Sequence, residues 1–156
     1  MKELPIKFNC RGDLLAKKDF PKIYEEFKNY KSKSLTHSRP TNAHQKQYFS
    51  ISPLFGRDRY NADDKQKIEL AAEQLTHIHV KQKNSVWLDE DNDPLAQWDC
   101  TSNSYLIYSY FVHGGTRNYY VIAFIDNNAH AHWEDENSKL LWLKDAKEYR
   151  LSVINI

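Results

Sequence analysis

Residues 55–81 read FGRDRYNADDKQKIELAAEQLTHIHVK, and the architecture of the chain turns on how this stretch is parsed. It opens on Phe55-Gly56-Arg57-Asp58, whose glycine suits a tight turn carrying Arg57, Asp58 and Tyr60. Asp63 or Asp64 then caps a short helix that lines one face with Ile68, Ala71, Ala72 and Leu75. At Thr76 the period changes from helical to two. A strand here puts His77, His79, Lys81 and Lys83 on one face and Ile78, Val80 and Gln82 on the other. No other part of the chain gathers so many chemically competent side chains.

Working outward, Leu4 to Asn9 alternates weakly and suits a first strand. Asp19 followed by Pro21 starts a helix whose apolar face is Phe20, Ile23, Tyr24, Phe27 and Tyr30, ending near Lys31. Residues 32–52 are polar and basic with no clear period, which reads as a long, mobile loop. Downstream, residues 84–100 form an acidic loop holding Trp87 and Trp98. Residues 105–112 are apolar on both faces and suit a central strand, joined through Gly114-Gly115 to a partner over 119–125. A polar loop over 126–137 carries His130, His132 and Trp133, and Ser138 caps a last helix through Leu140, Leu143, Ala146 and Tyr149. The order is strand, helix, helix, three strands, helix. That predicts a single α+β domain over 1–156, a small antiparallel sheet with helices packed against one face.

Composition narrows the function classes. A chain of 156 residues with 40% hydrophobic residues is long enough to bury a core, so general disorder is not expected. Net charge is only +1, but its distribution is uneven. From Lys28 to Arg59 seven Lys/Arg stand against one acid, Asp58, whereas residues 84–104 hold five acids and no Lys or Arg. A cationic face of that kind suits a phosphate backbone, although a solvated loop would give the same count. Ten Tyr, seven Phe and four Trp are many for this length; those near the surface could stack on bases or on a partner, although filling a small core accounts for them equally simply. Cys10 and Cys100 form neither a metal motif nor a disulfide framework. The start, MKELPIKFNC, lacks the apolar run of a signal peptide, and no stretch is long enough to span a membrane. The expectation is a soluble, cytoplasmic protein.

Two imidazoles at i and i+2 on a strand lie about 7 Å apart on one face. A metal would need further ligands, which no motif supplies at a diagnostic spacing; His130 or His132 would have to contribute. The expectation is therefore no metal and no cofactor. Without a metal, His, Lys, Arg, Asp and Tyr suit cleavage of RNA through its own 2′-OH, because the substrate brings the nucleophile. The enzyme then needs a base, an acid and cations for the transition-state charge. His77 and His79 are the acid/base candidates, and Arg57 forks two phosphate oxygens. Asp58 is a base, a holder of Arg57 or a cap of the turn; the residues leave this open. Lys81, Arg59 and Tyr60 are candidate substrate contacts, Tyr60 by stacking, hydrogen bonding or packing.

The pair Phe55-Gly56-Arg57-Asp58 and His77-Ile78-His79-Val80, separated by a helix, resembles the signature of the YafO family of type II toxins. Weaker similarity continues through Thr101-Ser102-Asn103, Leu106-Ile107-Tyr108, Ala129-His130 and residues 146–150, covering about residues 12–31 and 53–150. The resemblance implies a ribosome-dependent mRNA interferase: an endoribonuclease that cuts messages on the ribosome and is restrained by a cognate antitoxin. It adds His130 to the catalytic set and Tyr108 to the substrate-binding one, though core packing is a strong competing role for Tyr108. The order of elements, strand, helix, helix, three strands, helix, also resembles that of the RelE/ParE-like toxins. The competing reading is a non-catalytic interaction module with a His- and Tyr-rich binding face.

Overall fold

The computed structural model describes residues 4–34, 38–59 and 72–155. The described elements are β1 (Ile6–Cys10), α1 (Phe20–Lys33), α2 (Asn42–Gln47), β2 (Phe55–Arg59), β3 (Thr76–Val80), β4 (Tyr105–His113), β5 (Thr116–Ile125), α3 (Ala129–Glu134) and α4 (Glu136–Ile154). Two 3-10 turns, at Gly12–Ala16 and Gln97–Asp99, complete them. Tyr60 and most of the helix expected before Leu75, including Asp63, Asp64, Ile68 and Ala71, lie outside the described residues; Ala72 and Glu73 are helical.

The class is α+β, but the sheet is mixed rather than antiparallel. Its order is β1-β5-β4-β3-β2, with β1 parallel to β5 and every other pair antiparallel. Alternation within β1 says only that it is a strand, not which way it runs beside β5. The residues read as a turn, 55–59, are the edge strand β2, so the expected order of elements is not reproduced. The helices also do not share one face. Phe20, Ile23, Phe27 and Tyr30 of α1 pack with Ile78, Leu106, Tyr108, Tyr119 and Val121. On the opposite face Trp133 of α3 and Trp142, Leu143 and Ala146 of α4 pack with Tyr105, Ile107 and Ile122. Strand β4, apolar on both faces as expected of a central strand, supplies both cores. The Gly114-Gly115 hairpin forms as its sequence predicts, both residues at positive φ.

Three smaller differences have local causes. The segment read as a loop over 32–52 contains α2, capped by Thr41 Oγ1, which accepts from the His44 N–H at 3.1 Å. One turn and a half is too short to print a period. His130 stands in α3 rather than in a loop. Helix α4 is capped by Asp135, whose carboxylate accepts from both the N–H and the hydroxyl of Ser138.

Between the elements lies a buried polar cluster. Lys31 of α1 and Asp58 of β2 are both fully buried and meet at 2.6 Å. Lys31 also donates to the Tyr108 hydroxyl at 2.7 Å and the Ser38 carbonyl at 2.6 Å. Asp58 accepts from Tyr108 at 2.5 Å and from Tyr30 at 3.2 Å. Gln45 of α2 accepts from the Asp58 N–H and donates to the Asp58 carbonyl, while Gln97 donates to Tyr30 and to the Gly56 carbonyl. Burial pushes the Lys31 ammonium down to about 8, against the pull of Asp58.

Gly56 is required for close approach rather than for an unusual backbone angle. A Cβ there would lie 2.1 Å from the Cys100 carbonyl oxygen and 2.7 Å from the Cys100 Cβ. The neighbouring Arg57 N–H donates to that same carbonyl at 2.9 Å. Gly56→Ala is therefore expected to force β2 from the 97–100 turn and to cost ~1–3 kcal/mol, a fall of several degrees in the thermal midpoint. A thermal unfolding curve checks it; an unchanged midpoint would mean the two backbones are not held this close.

Candidate active site

Alternation along β2 divides its charged residues. Asp58 faces the α1 core, so Arg57 and Arg59 face the other side of the sheet. There β3 presents His77 and His79, and antiparallel pairing sets Arg59 opposite His77 and His79 opposite Tyr105. The loop 101–103 and α3 close the rim, joined where the Ala129 N–H donates to the Asn103 carbonyl at 3.0 Å. The result is an open cleft of ≈ 420 Å³ lined by Arg57, Arg59, His77, His79, Tyr105 and His130, with Thr101, Ser102, Asn103, Trp133 and Glu134 around them.

The two imidazoles are 5.6 Å apart between ring centres. His77 is only 6% exposed, stacked on Tyr105 at 4.6 Å and tilted against Trp133 at 4.2 Å. Its Nδ1 is buried with no hydrogen-bond partner among the described residues. His79 is also buried, and its Nδ1 lies 2.8 Å from the Ser102 N–H and 3.1 Å from the Ser102 carbonyl. Both contacts cannot be hydrogen bonds at once. The shorter one runs along an N–H, so Nδ1 accepts and the ring hydrogen sits on Nε2.

Both rings are neutral at pH 7. Burial pushes His79 down to about 4, helped by the Arg57 charge and opposed by the nearby Ser102 carbonyl, which favours a protonated ring. Burial likewise holds His77 well below the usual imidazole range; a proton on His79 would act in the same direction, as do the charges of Arg59, Lys139 and Arg57. Arg57 donates its Nε–H to the Trp98 carbonyl at 2.6 Å and lies 4.4 Å above the Trp98 ring. Among the described residues no hydrogen bond engages its two terminal nitrogens, which leaves them for a ligand. His130 is at the solvent rim, 71% exposed, its Nε2 3.9 Å from Glu134 Oε1.

Of the candidates read from the sequence, Arg57, Arg59, His77, His79 and His130 come together here. Asp58 and Tyr108 do not: they sit in the buried cluster on the other face, bonded to Lys31. Lys81 lies at a separate cleft with Phe49, Ile51, Pro53 and Trp87, 5.9 Å from the Trp87 ring. Tyr60 is outside the described residues. Tyr105, Trp98, Ser102 and Glu134 were not foreseen as site residues. Tyr105 was findable in principle, since pairing β3 with β4 places an aromatic opposite His79. Among the described residues no group of three or more His, Cys, Asp or Glu is placed to hold a metal ion, and no helix is long and apolar enough to cross a membrane.

The family model described as Toxin YafO, type II toxin-antitoxin system, matches residues 28–151. The chain belongs to the YafO toxin family. The match runs from α1 to α4 and so contains every residue lining the cleft. Membership in a type II system implies an antitoxin partner for this toxin. No curated protein and no solved structure gives a significant match.

The neutral histidines make stability depend on pH with a definite sign. An unfolded histidine binds its proton near pH 6.5, whereas folded His79 does so only near 4. Between these values the unfolded chain holds more protons, so stability is full above about 6.5 and falls as the pH drops towards 4. The thermal midpoint of this YafO-family toxin should fall between pH 7 and pH 5, and His79→Gln should flatten that slope. A midpoint independent of pH over this range would contradict the burial of the pair.

Proposed function

We propose that this toxin is an endoribonuclease that cuts mRNA, on the ribosome, by metal-independent attack of the 2′-OH. The observation that carries the reading is the convergence, in one open cleft, of two neutral imidazoles and two guanidiniums with no carboxylate ion pair among the described residues. The phosphate of the substrate supplies the missing negative charge.

His77 is the base. Among the described residues no hydrogen bond to its Nδ1 fixes its tautomer, so it can take the proton from the 2′-OH. The 2′ oxygen then attacks the adjacent phosphorus, the bond to the 5′ oxygen breaks, and a 2′,3′-cyclic phosphate forms. His130, at the rim, returns a proton to the leaving oxygen. Arg57 and Arg59 hold the non-bridging oxygens, and the His79 Nε2–H donates to one of them. Tyr105 and Trp133 keep the His77 ring in place. Asp58 takes no part in proton transfer; paired with Lys31, it holds the strand that presents both arginines. The requirement for the ribosome rests on the family resemblance, as does mRNA as the message that is cut.

Because His77 packs tightly, a near-isosteric variant is the informative one. Induced expression of wild type, His77→Gln and Arg57→Lys, with growth followed and RNA 5′ ends mapped, tests the reading. Wild type should arrest growth and cut translated messages. His77→Gln should lose about 10²–10⁴-fold in cleavage and Arg57→Lys about 10²–10³-fold while both stay folded. Growth arrest with intact messages would overturn the nuclease.

Asp58→Asn separates structure from chemistry in the same residue. It leaves the Lys31 charge buried without its partner and is expected to cost ~3–5 kcal/mol of stability in denaturant unfolding. Full stability with lost cleavage would instead place Asp58 in the reaction.

A further inference from the structure

The basic segment from Lys28 to Arg59 does not form one cationic face. Lys31 is buried, and Lys28 pairs with Glu25 at 2.7 Å. Three of its cations do converge, on a single ring. Lys46 of α2 lies 5.1 Å from the centre of the Trp98 indole, Arg57 4.4 Å and Arg59 5.5 Å. None of the three forms an ion pair with a carboxylate among the described residues, and Asp99 is near enough to Arg57 to be felt without reaching ion-pair distance.

Such an arrangement is costly unless something else balances it. Like charges grouped around one half-exposed ring repel, and after burial the charge of Arg59 is the next cause that destabilises charged Arg57. The fold nevertheless builds the group from three separate elements. Gln45, next to Lys46 in α2, is bonded in both directions to the backbone of Asp58, between the two arginines. The Gln97 N–H, beside Trp98, donates to the Tyr48 carbonyl at the end of α2. Lys46 is thereby fixed to the same scaffold as the cleft arginines, although it does not line the cleft. His44 and Tyr48, both exposed and 4.6 Å apart, continue the surface along α2 with rings.

We propose that Lys46, Trp98 and the outer faces of Arg57 and Arg59 form a binding track for single-stranded RNA that continues out of the catalytic cleft along α2. Lys46 holds a phosphate one or more nucleotides from the scissile bond. Trp98 is the positioning residue that keeps the three cations together, and the His44–Tyr48 pair offers the stacking surface for a flanking base. Single-stranded nucleic acid fits better than an acidic protein segment because the cations alternate with flat rings and lead into a cleft already suited to a phosphodiester. The proposal rests on the nuclease reading for its choice of ligand.

The test is binding of a fluorescent ten-nucleotide single-stranded RNA, across a salt series, by wild type, Lys46→Ala and Lys46→Arg, with thermal midpoints as folding controls. Each phosphate contact on a single strand contributes about 0.7 to the slope of log affinity against log salt. Lys46→Ala should therefore lower the slope by about 0.7 and weaken binding about fivefold at 0.1 M salt, with Lys46→Arg restoring both. If Lys46→Ala matches wild type in slope and affinity, the track is wrong. It is also wrong if Lys46→Ala binds the RNA normally and loses only binding of the antitoxin. RNA bound through Lys46 with no cleavage by wild type, on ribosomes or free, would leave the track standing and overturn the nuclease.

Discussion

The contact on which the rest depends is the buried ion pair between Lys31 and Asp58. Neither side chain is exposed, and placing two charges where water cannot reach costs several kcal/mol each unless hydrogen bonds replace hydration. Here they do. All three Lys31 N–H bonds have acceptors, in Asp58, the Tyr108 hydroxyl and the Ser38 carbonyl. Both Asp58 oxygens are used as well. Satisfied in this way, the pair is less a source of net stability than of position, because only one register of β2 places Asp58 within reach of α1.

That register decides the chemistry on the far face. In a strand, anchoring one residue to the core turns its two neighbours outward. Asp58 held by Lys31 means Arg57 and Arg59 aimed at His77 and His79. The edge strand, which has only one neighbour in the sheet, is held on its free side by Cys100 through Arg57 and by Gln45 through Asp58. The cleft is thus a surface feature whose geometry is set by a buried charge on the opposite side of the sheet. Its histidines are kept neutral by burial and by neighbouring positive charge, the state in which an imidazole can accept a proton.

The candidate site was partly legible before any coordinates. The two-residue period of Thr76-His77-Ile78-His79-Val80 puts both histidines on one face, and the structure keeps them there. The same rule applied to Phe55–Arg59 would have separated Asp58 from its arginines, had the stretch been read as a strand instead of a turn around Gly56. The glycine misled because its role is close approach to Cys100, 44 residues along (100 − 56), and no local pattern reveals a neighbour that distant. Lys31 was read as the end of an apolar helix face. A lysine gives no sign in sequence that it is buried, since that depends on a carboxylate supplied from elsewhere.

What the sequence determined alone was everything carried by short-range periodicity: the apolar face of α1, the β3 alternation, the Gly114-Gly115 hairpin and β4 apolar on both faces. Tertiary structure decided which charges are buried and which are presented. It placed Lys31 against Asp58 and Tyr108, 27 and 77 residues away. It also ran β1 parallel to β5 and set helices on both faces of the sheet. The reason is physical. A backbone period of two or 3.6 residues is written in adjacent side chains, whereas the free energy of burying a charge depends on the dielectric and the partners around it, which exist only once distant segments have come together.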